Sequence, residues 1–321
     1  MRSVQWFSVQ QDPSGCLFVS LVAAATCLRS PTSGCLFHRS LRLLLPQVSN
    51  SSLSLNSREA QSASLLSSLR TQLRVIGALL MREVLTRYGR KNIGFLWLFI
   101  DPMIVSLSIA LIVSFVRVRH FETVPIFAFI LVSYATTPLW RRSTARCMNA
   151  FSPNKQLLYH RQVAVIDFYL TRVLLEHAGA TMAFVCLVLL FALFSMVPLP
   201  LDPLQVAAGW FMIAWFGFGL SLLIGSLVHR APLLQKLWVP ISMLLFLCAA
   251  VIYPVDTLPQ AARGYVLLLP MTNGIEYFRE GYFGPVMAYH YNMWFMAVCN
   301  TALTALGLLS VWLLKDRMGA D

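Results

Sequence analysis

Three arginines stand immediately before the first long apolar run of this 321-residue chain. Arg82, Arg87 and Arg90 precede the aromatic-rich segment that contains Trp97, and Tyr88 lies among them. Clustered guanidinium groups at a membrane face attract anionic lipid headgroups and acidic polymers, because like charges raise the local concentration of counter-ions. These five residues are therefore candidates for a substrate-access site that binds an anion at one membrane face.

The dipeptide Asp101-Pro102 interrupts the same apolar run. A carboxylate at membrane depth is costly, and such residues are functional candidates, so Asp101 joins the candidate site. Asp is also a favoured helix N-cap and Pro a favoured first helical residue, so the pair predicts a helical segment that starts after a break. The two roles are compatible, because a helix broken at a channel mouth needs a cap.

Motifs for catalysis are absent from the sequence. It has no GxxxxGK[ST] loop for the phosphates of ATP, no HExxH zinc motif and no GxSxG nucleophile motif. The seven cysteines form no CxxC pair, and those in apolar runs are interpreted as small buried hydrophobes. His177 is interpreted as a packed or interfacial residue rather than as a ligand. We therefore expect no enzyme activity, metal, cofactor or ATP site in this chain.

The composition predicts an integral membrane protein. Hydrophobic residues make up 58% of the chain and charged residues only 12%. Soluble domains carry about 25% charged residues. The net charge of +12 is distributed around apolar runs, so we expect a membrane as partner and no nucleic acid.

Apolar residues at helical spacing predict an all-α membrane fold with about six transmembrane helices. An amphipathic helix over residues 70–91 is too charged to span, and we expect it to lie in the interface. Residues 1–69 are Ser-rich and aperiodic, and are interpreted as a disordered extension or as sequence upstream of the natural start. The membrane domain then covers residues 70–321, with predicted spans at about Ile93–Val116, Val124–Trp140, Ala178–Val197, Leu204–Val228, Leu237–Tyr253 and Tyr291–Leu314.

The distribution of Lys and Arg predicts the topology. Most of these residues fall in the amphipathic helix, in the loop after the second span and in the other segments on that side. The positive-inside rule then places both termini in the cytoplasm. The segment from Pro254 to His290 lies outside, and its Pro, Gly and short apolar runs predict short re-entrant helices before the last span.

Aromatic side chains stand inside the predicted spans and at their ends. Such residues commonly form the interfacial belt of a membrane protein. A second interpretation is that some line a path for sugars, because aromatic faces stack on the apolar faces of pyranose rings without demanding one register. The candidates for such a channel lining are Tyr134, Trp140, Trp215 and Tyr253.

Two acidic residues stand one helical turn from arginines. Glu83 and Arg87 have the favourable i,i+4 spacing, and Arg172 and Glu176 share one helical face. We interpret Arg172 and Glu176 as part of an ion-pair lattice at the membrane interface rather than as a proton relay.

Two short patterns predict packing. Gly217, Ser221 and Gly225 form a stripe of small residues that lets another helix approach closely, within the chain or between subunits. Asn273 and Glu276 have the spacing of an N-cap and its N3 partner, which predicts a short capped helix on the external face.

Two segments together resemble a known family. Residues 81–102, MREVLTRYGRKNIGFLWLFIDP, resemble the start of the membrane subunit of ABC-2-type exporters, in the branch that exports capsular polysaccharide. Residues 269–284, LPMTNGIEYFREGYFG, resemble the segment before the last span of that branch. The combination of TRYGR, IGFLWL and an acid-Pro pair is specific, although each alone is weak. The resemblance covers about residues 70–321, and the branch often has Glu where this chain has Asp101.

The resemblance implies that two copies of this chain form a channel driven by two separate ATPase subunits. It implies a gate helix at the cytoplasmic mouth, at about residues 70–91, and a coupling helix that docks on the ATPase. The implied substrate is capsular polysaccharide or its lipid-linked form, moved across the bacterial inner membrane toward periplasmic and outer-membrane export proteins. The coupling candidates are Arg141, Arg142, Arg146, Lys155 and Arg161.

Two other functions stay open at the level of sequence. An ABC-2 permease for another substrate, such as an O-antigen-type polymer, a lipid or a drug, has the same composition. A membrane-bound lipid or glycosyl transferase needs an acid cluster or a metal site at the interface, and we find neither in the sequence.

Overall fold

The computed structural model describes residues 57–88, 96–116, 124–150, 153 and 163–318. The regular elements of these residues are helices, which confirms the all-α prediction. Residues from Ala63 onward belong to one compact unit; of the separate unit 1–62, only the start of the first helix is described.

The helices are α1 Ser57–Tyr88, α2 Trp97–Val116, α3 Ile126–Tyr134, α4 Ser143–Cys147, α5 Val165–Leu193, α6 Pro203–Leu227, α7 Leu233–Cys248, α8 Gln260–Leu267, α9 Pro270–Phe283 and α10 Met293–Met318. A π-helical segment, Pro138–Arg142, precedes α4, and a 3-10 turn, Val255–Thr257, precedes α8.

Four helices in the described part of the chain are long and apolar enough to cross a bilayer. They are α2, α5, α6 and the Met293–Leu314 part of α10. The predicted second and fifth spans correspond to the shorter helices α3 and α7. The structure is therefore that of an integral membrane protein, while the number of six spans and the orientation stay predictions.

The predicted gate helix is longer than its amphipathic pattern suggested. It begins at Ser57 rather than at residue 70. Residues 57–69 contain neither Gly nor Pro and are rich in Ser, Leu and Ala, so nothing in them ends a helix. The interpretation of residues 1–69 as a disordered extension or as sequence upstream of the natural start stays a prediction, and residues 1–56 lie outside the described residues.

The predicted helix break at Asp101-Pro102 is wrong. Helix α2 begins at Trp97 and continues through Pro102, so Asp101 is not an N-cap. Pro102 has no N–H, and the carbonyl of Leu98 one turn earlier therefore loses its intrahelical donor. Gly179 of α5 lies against this carbonyl, because a Cβ atom there would stand 2.8 Å from the Leu98 oxygen. Pro102 therefore does not break α2, and the carbonyl that it frees lies at a close contact between α2 and α5.

Helix α6 is central and packs against α10, α9 and α4. Asp202 caps its N-terminus, and Pro203 occupies its first position. A Cβ atom on Gly217 would lie 2.1 Å from the carbonyl oxygen of Leu139, so only glycine permits this contact. The hydroxyl of Ser221 donates to that of Ser143 at 3.1 Å. The small-residue stripe therefore packs inside the chain, against the segment that leads into α4.

The predicted short helices between Pro254 and His290 are present as α8 and α9. The predicted cap at Asn273 is wrong, because α9 begins at Pro270 with Leu269 as its N-cap. The Asn273 side chain donates instead to the carbonyls of Leu267 and Leu269, at 2.9 and 3.1 Å. This amide ties α9 to the end of α8.

Candidate substrate-access and coupling site

The carboxylate of Glu176 is the centre of an ion-pair network. This side chain lies in α5 and is 3% exposed. It accepts a hydrogen bond from Arg87 of α1, and its other oxygen lies 2.9 Å from Nε of Arg142 in the π-helical segment. Nε of Arg146 in α4 lies 3.5 Å away. One buried acid thus joins the predicted gate helix to the predicted coupling segment.

Glu83 is the second acceptor of the network. Its carboxylate pairs with Arg87 at 2.9 Å, so the pair expected from i,i+4 spacing is present. The same oxygen lies 3.2 Å from Nε of Arg172, which also donates through Nη1 to the carbonyl of Arg146 at 2.7 Å. The predicted ion-pair lattice is confirmed, but Arg172 faces Glu83 of α1 rather than Glu176 of its own helix.

Asp101 joins the network through Arg142, which donates to it. Arg142 therefore contacts Asp101 on α2 and Glu176 on α5 at the same time. Asp101 is half-exposed, so this contact is more screened than the one to Glu176. The functional candidate Asp101 and the coupling candidate Arg142 are thereby brought together.

Arg87 stays charged in this environment. Burial lowers the pKa of its guanidinium, but the carboxylates of Glu176 and Glu83 raise it, and the net direction is upward. Removing one partner of such a buried pair leaves the other as an uncompensated charge. The network is thus a strongly coupled unit rather than a set of surface pairs.

The π-helical segment positions the coupling arginines. Pro138 has no N–H, and the helical path of α3 ends at Tyr134 and resumes as the wider π turn Pro138–Arg142. Its carbonyl at Leu139 accepts from Nε2 of His177 at 2.8 Å, which confirms His177 as a packed residue. The segment is therefore fastened to both α5 and α6 before its arginines reach the network.

A cavity of about 410 Å³ opens beside the network, and we call it the arginine cavity. Residues from α1 and from the segment after the second predicted span share its wall. The lining contains four arginines and one glutamate, so it favours an anionic group. It comprises Arg82, Glu83, Thr86, Arg87, Arg146, Asn149, Pro153 and Arg172.

A second cavity of about 330 Å³ lies between α2, the π-helical segment and α7, and we call it the α2–α7 cavity. Nε of Arg141 donates to the hydroxyl of Ser242 across it at 3.3 Å. The buried Nε1 of Trp238 and Oγ1 of Thr137 have no hydrogen-bond partner among the described residues. Apolar walls with two guanidinium groups suit an amphiphilic anion. The lining is Pro102, Val105, Tyr134, Thr137, Pro138, Arg141, Arg142, Ala145, Trp238, Val239 and Ser242.

The predicted channel-lining aromatics do not share one surface. Tyr134 lines the α2–α7 cavity beside Arg141. Trp140 is fully buried, so its ring contacts protein and not an open path. Trp215 donates to Thr304 at 3.0 Å and lines a separate apolar cavity, while Tyr253 donates to the carbonyl of Leu247. Of these four aromatic residues, only Tyr134 lines the α2–α7 cavity with Arg141 and Arg142.

The other candidates are exposed, stand at the end of α1, or lie outside the described residues. Arg82 and Trp97 are exposed. Tyr88 is the last residue of α1. Arg90, Lys155 and Arg161 lie outside the described residues.

Arg279 is a buried charge whose importance the sequence analysis missed. It lies in α9 with no exposed surface, and its guanidinium stands 4.3 Å from the centre of the Phe129 ring. The local signal was its i,i+3 spacing from Glu276. Its five N–H groups donate to Ser133 Oγ, Glu276 Oε1 and the carbonyls of Ala250, Val251 and Tyr253, at 2.6–3.3 Å.

The fold and site define a helical membrane protein in which an ion-paired junction links a charged helix to a segment packed on α6. The chain belongs to the ABC-2 type transporter family, whose sequence model matches residues 74–283.

Named relatives cover most of the chain. It is 40% identical to the capsule polysaccharide export inner-membrane protein CtrC of Neisseria meningitidis serogroup A, over 79% of this chain and 96% of the relative. It is 39% identical to the capsule polysaccharide export inner-membrane protein BexB of Haemophilus influenzae, over 76% of this chain and 92% of that relative. The polysialic acid transport protein KpsM of Escherichia coli is 23% identical to this chain, over 64% of this chain and 80% of that relative.

Proposed function

We propose that this chain is the membrane subunit of an ATP-driven exporter that carries capsular polysaccharide, free or lipid-linked, across the bacterial inner membrane. The similarity to CtrC and BexB supports this proposal, because both are named capsule polysaccharide export inner-membrane proteins. In this proposal two copies of the chain work with two ATPase subunits and pass the polymer to periplasmic and outer-membrane export proteins. The chain itself binds no cofactor.

The junction at Glu176 carries the proposed mechanism. An ATPase that docks on α4 and the residues after it moves Arg142 and Arg146. Arg87 of the gate helix shares their carboxylate, so a displacement of α4 is transmitted to α1 through one buried acid. The half-exposed Arg146 and the exposed Asn149 offer a cationic docking surface on the same segment.

The ATPase is a separate subunit in this proposal. The sequence contains no GxxxxGK[ST] loop, so the usual cradle for the phosphates of ATP must come from elsewhere. ATP binding and hydrolysis then act on this chain from its cytoplasmic face, through the surface around Arg146.

The polymer path is proposed to run along the α2–α7 cavity. Two guanidinium groups at Arg141 and Arg142 attract the charge of an acidic polymer or a lipid phosphate, while the largely buried rings of Tyr134 and Trp238 form part of the wall. Apolar side chains beside this cavity remain exposed in the single chain, among them Ile104, Val105, Val239 and Leu244. A second copy is proposed to cover part of this face.

The decisive experiment is gene deletion with complementation. In a capsulated strain, deletion should leave polymer inside the cell, and the wild-type gene should restore surface capsule. The chain with Glu176→Gln should insert into the membrane and fail to restore capsule. Purified chain alone should show no ATPase activity, and activity should appear with its ATPase partner.

Three outcomes would point elsewhere. Normal surface capsule after deletion contradicts the proposal. Export of a lipid, drug or O-antigen-type polymer by reconstituted vesicles, with capsule unaffected, identifies a permease for another substrate. Activity of the chain alone on a lipid-sugar donor identifies a transferase.

A further inference from the structure

A cavity of about 460 Å³ lies between α8, α9 and the segment that leads into α10. It is on the side that the charge pattern predicts to be external, apart from the arginine cavity and the α2–α7 cavity. Its size is within the range of small-molecule sites. The α8 side of its wall is apolar, and the remaining wall is formed by Asn273, Tyr289, His290, Tyr291, Asn292 and Phe295.

Tyr291 presents a fixed aromatic surface in this cavity. It is 37% exposed, and its hydroxyl donates to Glu280 at 2.6 Å. Its ring packs edge-on against Tyr277 at 5.2 Å between centroids. The hydrogen bond to Glu280, together with burial, raises the pKa of Tyr291 to about 12, so the hydroxyl keeps its proton. A ring held by two contacts loses little entropy when a ligand stacks on it.

Two amides define the neighbouring wall. The backbone N–H of Asn292 donates to Oδ1 of Asn273 at 2.7 Å. Oδ1 of Asn292 accepts from the N–H of Phe295 at 3.0 Å, which caps α10. Both bonds fix the position of Asn292 and leave its Nδ2 group without a partner among the described residues. This group is a rigidly placed donor for a ligand hydroxyl.

Tyr289 adds a ring that lines the cavity and a hydroxyl that is buried beneath it. That hydroxyl and Oε2 of Glu276 have no hydrogen-bond partner in the described part of the chain. Burial and the neighbouring carboxylate of Glu276 raise the pKa of Tyr289, so it too remains protonated. Neither buried atom is open to the cavity, so the polar groups it offers to a ligand are those of its lining side chains, among them the amide of Asn292.

We propose that this cavity binds one uncharged pyranose ring of the exported polymer, with Tyr291 stacked on the sugar face and Nδ2 of Asn292 donating to a sugar hydroxyl. The inference rests on the proposed function. No lining side chain is an acid, a lysine or an arginine, and the Arg263 guanidinium that contacts His290 is already paired with Asp256, which disfavours a phosphate or an acidic sugar. The Nδ2 group of Asn292 disfavours an acyl chain, since an apolar ligand leaves its hydrogen bond unmade.

The test uses the transporter complex in lipid nanodiscs and short oligosaccharides released from the capsule of the source strain. Saturation-transfer NMR should detect ring protons of the bound sugar. Tyr291→Ala should weaken binding about threefold to tenfold, because one aromatic contact is lost. Tyr291→Phe keeps the ring and should bind more tightly than Tyr291→Ala. Tyr265→Ala is the matched control, since Tyr265 is an exposed tyrosine of α8 outside the cavity lining.

A crosslinking experiment in cells keeps the test independent of stability. A photoreactive benzoylphenylalanine at position 291 should form a polymer adduct during export, and the same group at position 265 should not. Equal affinities for all variants, no sugar signal, or adducts only to another protein would overturn the inference. If deletion of the gene strands polymer inside the cell while the binding or crosslinking results are negative, this inference fails and the proposed function stands. If deletion leaves capsule normal, the proposed function has failed first.

Discussion

Arg87 of α1 and Glu176 of α5 are in direct ion-pair contact, although 89 residues separate them in the chain. Glu176 is almost completely buried, and its remaining partners are arginines of the π-helical segment and α4. The contact therefore joins the proposed gate helix to the proposed coupling segment through a single carboxylate.

Glu176→Gln should destabilise the membrane domain by about 3–5 kcal/mol, the usual cost of removing one charge from a buried pair. The arginines at 87, 142 and 146 then lose the carboxylate that they share, although Glu83 still pairs with Arg87 and Asp101 with Arg142. Thermal unfolding of the purified complex measures the loss. Asp256→Asn is the control, because this half-exposed acid pairs with Arg263 and should matter by no more than about 1 kcal/mol. Equal stability of the two variants would contradict the central role of Glu176.

Arg87→Ala should release α1 from α5. Hydrogen exchange of the α1 amides should accelerate, whereas Arg82→Ala, an exposed position on the same helix, should leave the exchange unchanged. A double-mutant cycle with Glu176→Ala should give a coupling energy of about 0.5–3 kcal/mol. Additive effects of the two substitutions would mean that the ion pair does not hold the helix.

Gly217→Ala should push the segment before α4 away from α6. The new Cβ would stand 2.1 Å from the carbonyl oxygen of Leu139, and backbone cannot yield as a flexible side chain can. We expect a loss of about 1–3 kcal/mol and weaker stimulation of the ATPase partner. Gly77→Ala is the matched control, because no atom lies within 4 Å of its Cβ position, and it should stabilise α1 by up to about 1 kcal/mol. Similar behaviour of both variants would refute this packing argument.

Arg279→Lys should be strongly destabilising although the substitution keeps the positive charge. Lysine has three donors instead of five and cannot cover the carbonyls of Ala250 and Val251 while keeping the contact to Glu276. We expect a loss of about 3–5 kcal/mol in the unfolding free energy, measured in detergent or nanodiscs. Arg263→Lys, at a more exposed pair, should have little effect. A near-neutral Arg279→Lys would show that the buried cluster tolerates a smaller cation.

Local patterns in the sequence were sufficient for much of the fold. Long apolar runs predicted the spanning helices because a bilayer demands about 20 apolar residues, whatever their partners. The i,i+4 spacing of Glu83 and Arg87 predicted their pair, since both residues lie on one helix. Pro, Gly and short apolar runs predicted α8 and α9 in the same way.

Local patterns failed where a residue has two permitted roles. Asp-Pro is a good helix start, yet Pro102 lies inside α2, where Gly179 of another helix approaches the freed carbonyl of Leu98. Asn273 has the spacing of a cap, yet it binds the end of α8 from the first turn of α9. Each choice depends on a neighbour that is distant in the chain or belongs to another element.

The sequence by itself determined that this is a helical membrane protein with a basic, aromatic-flanked segment before its first span. Only the tertiary structure decided that Glu176 gathers arginines from three elements and that Arg279 is buried with every donor satisfied. Helical periodicity and composition depend on each segment's own residues and on the solvent around it. The partner of a buried charge is instead chosen by the packing of segments from the whole domain, because an unpaired charge in that interior is too costly to remain.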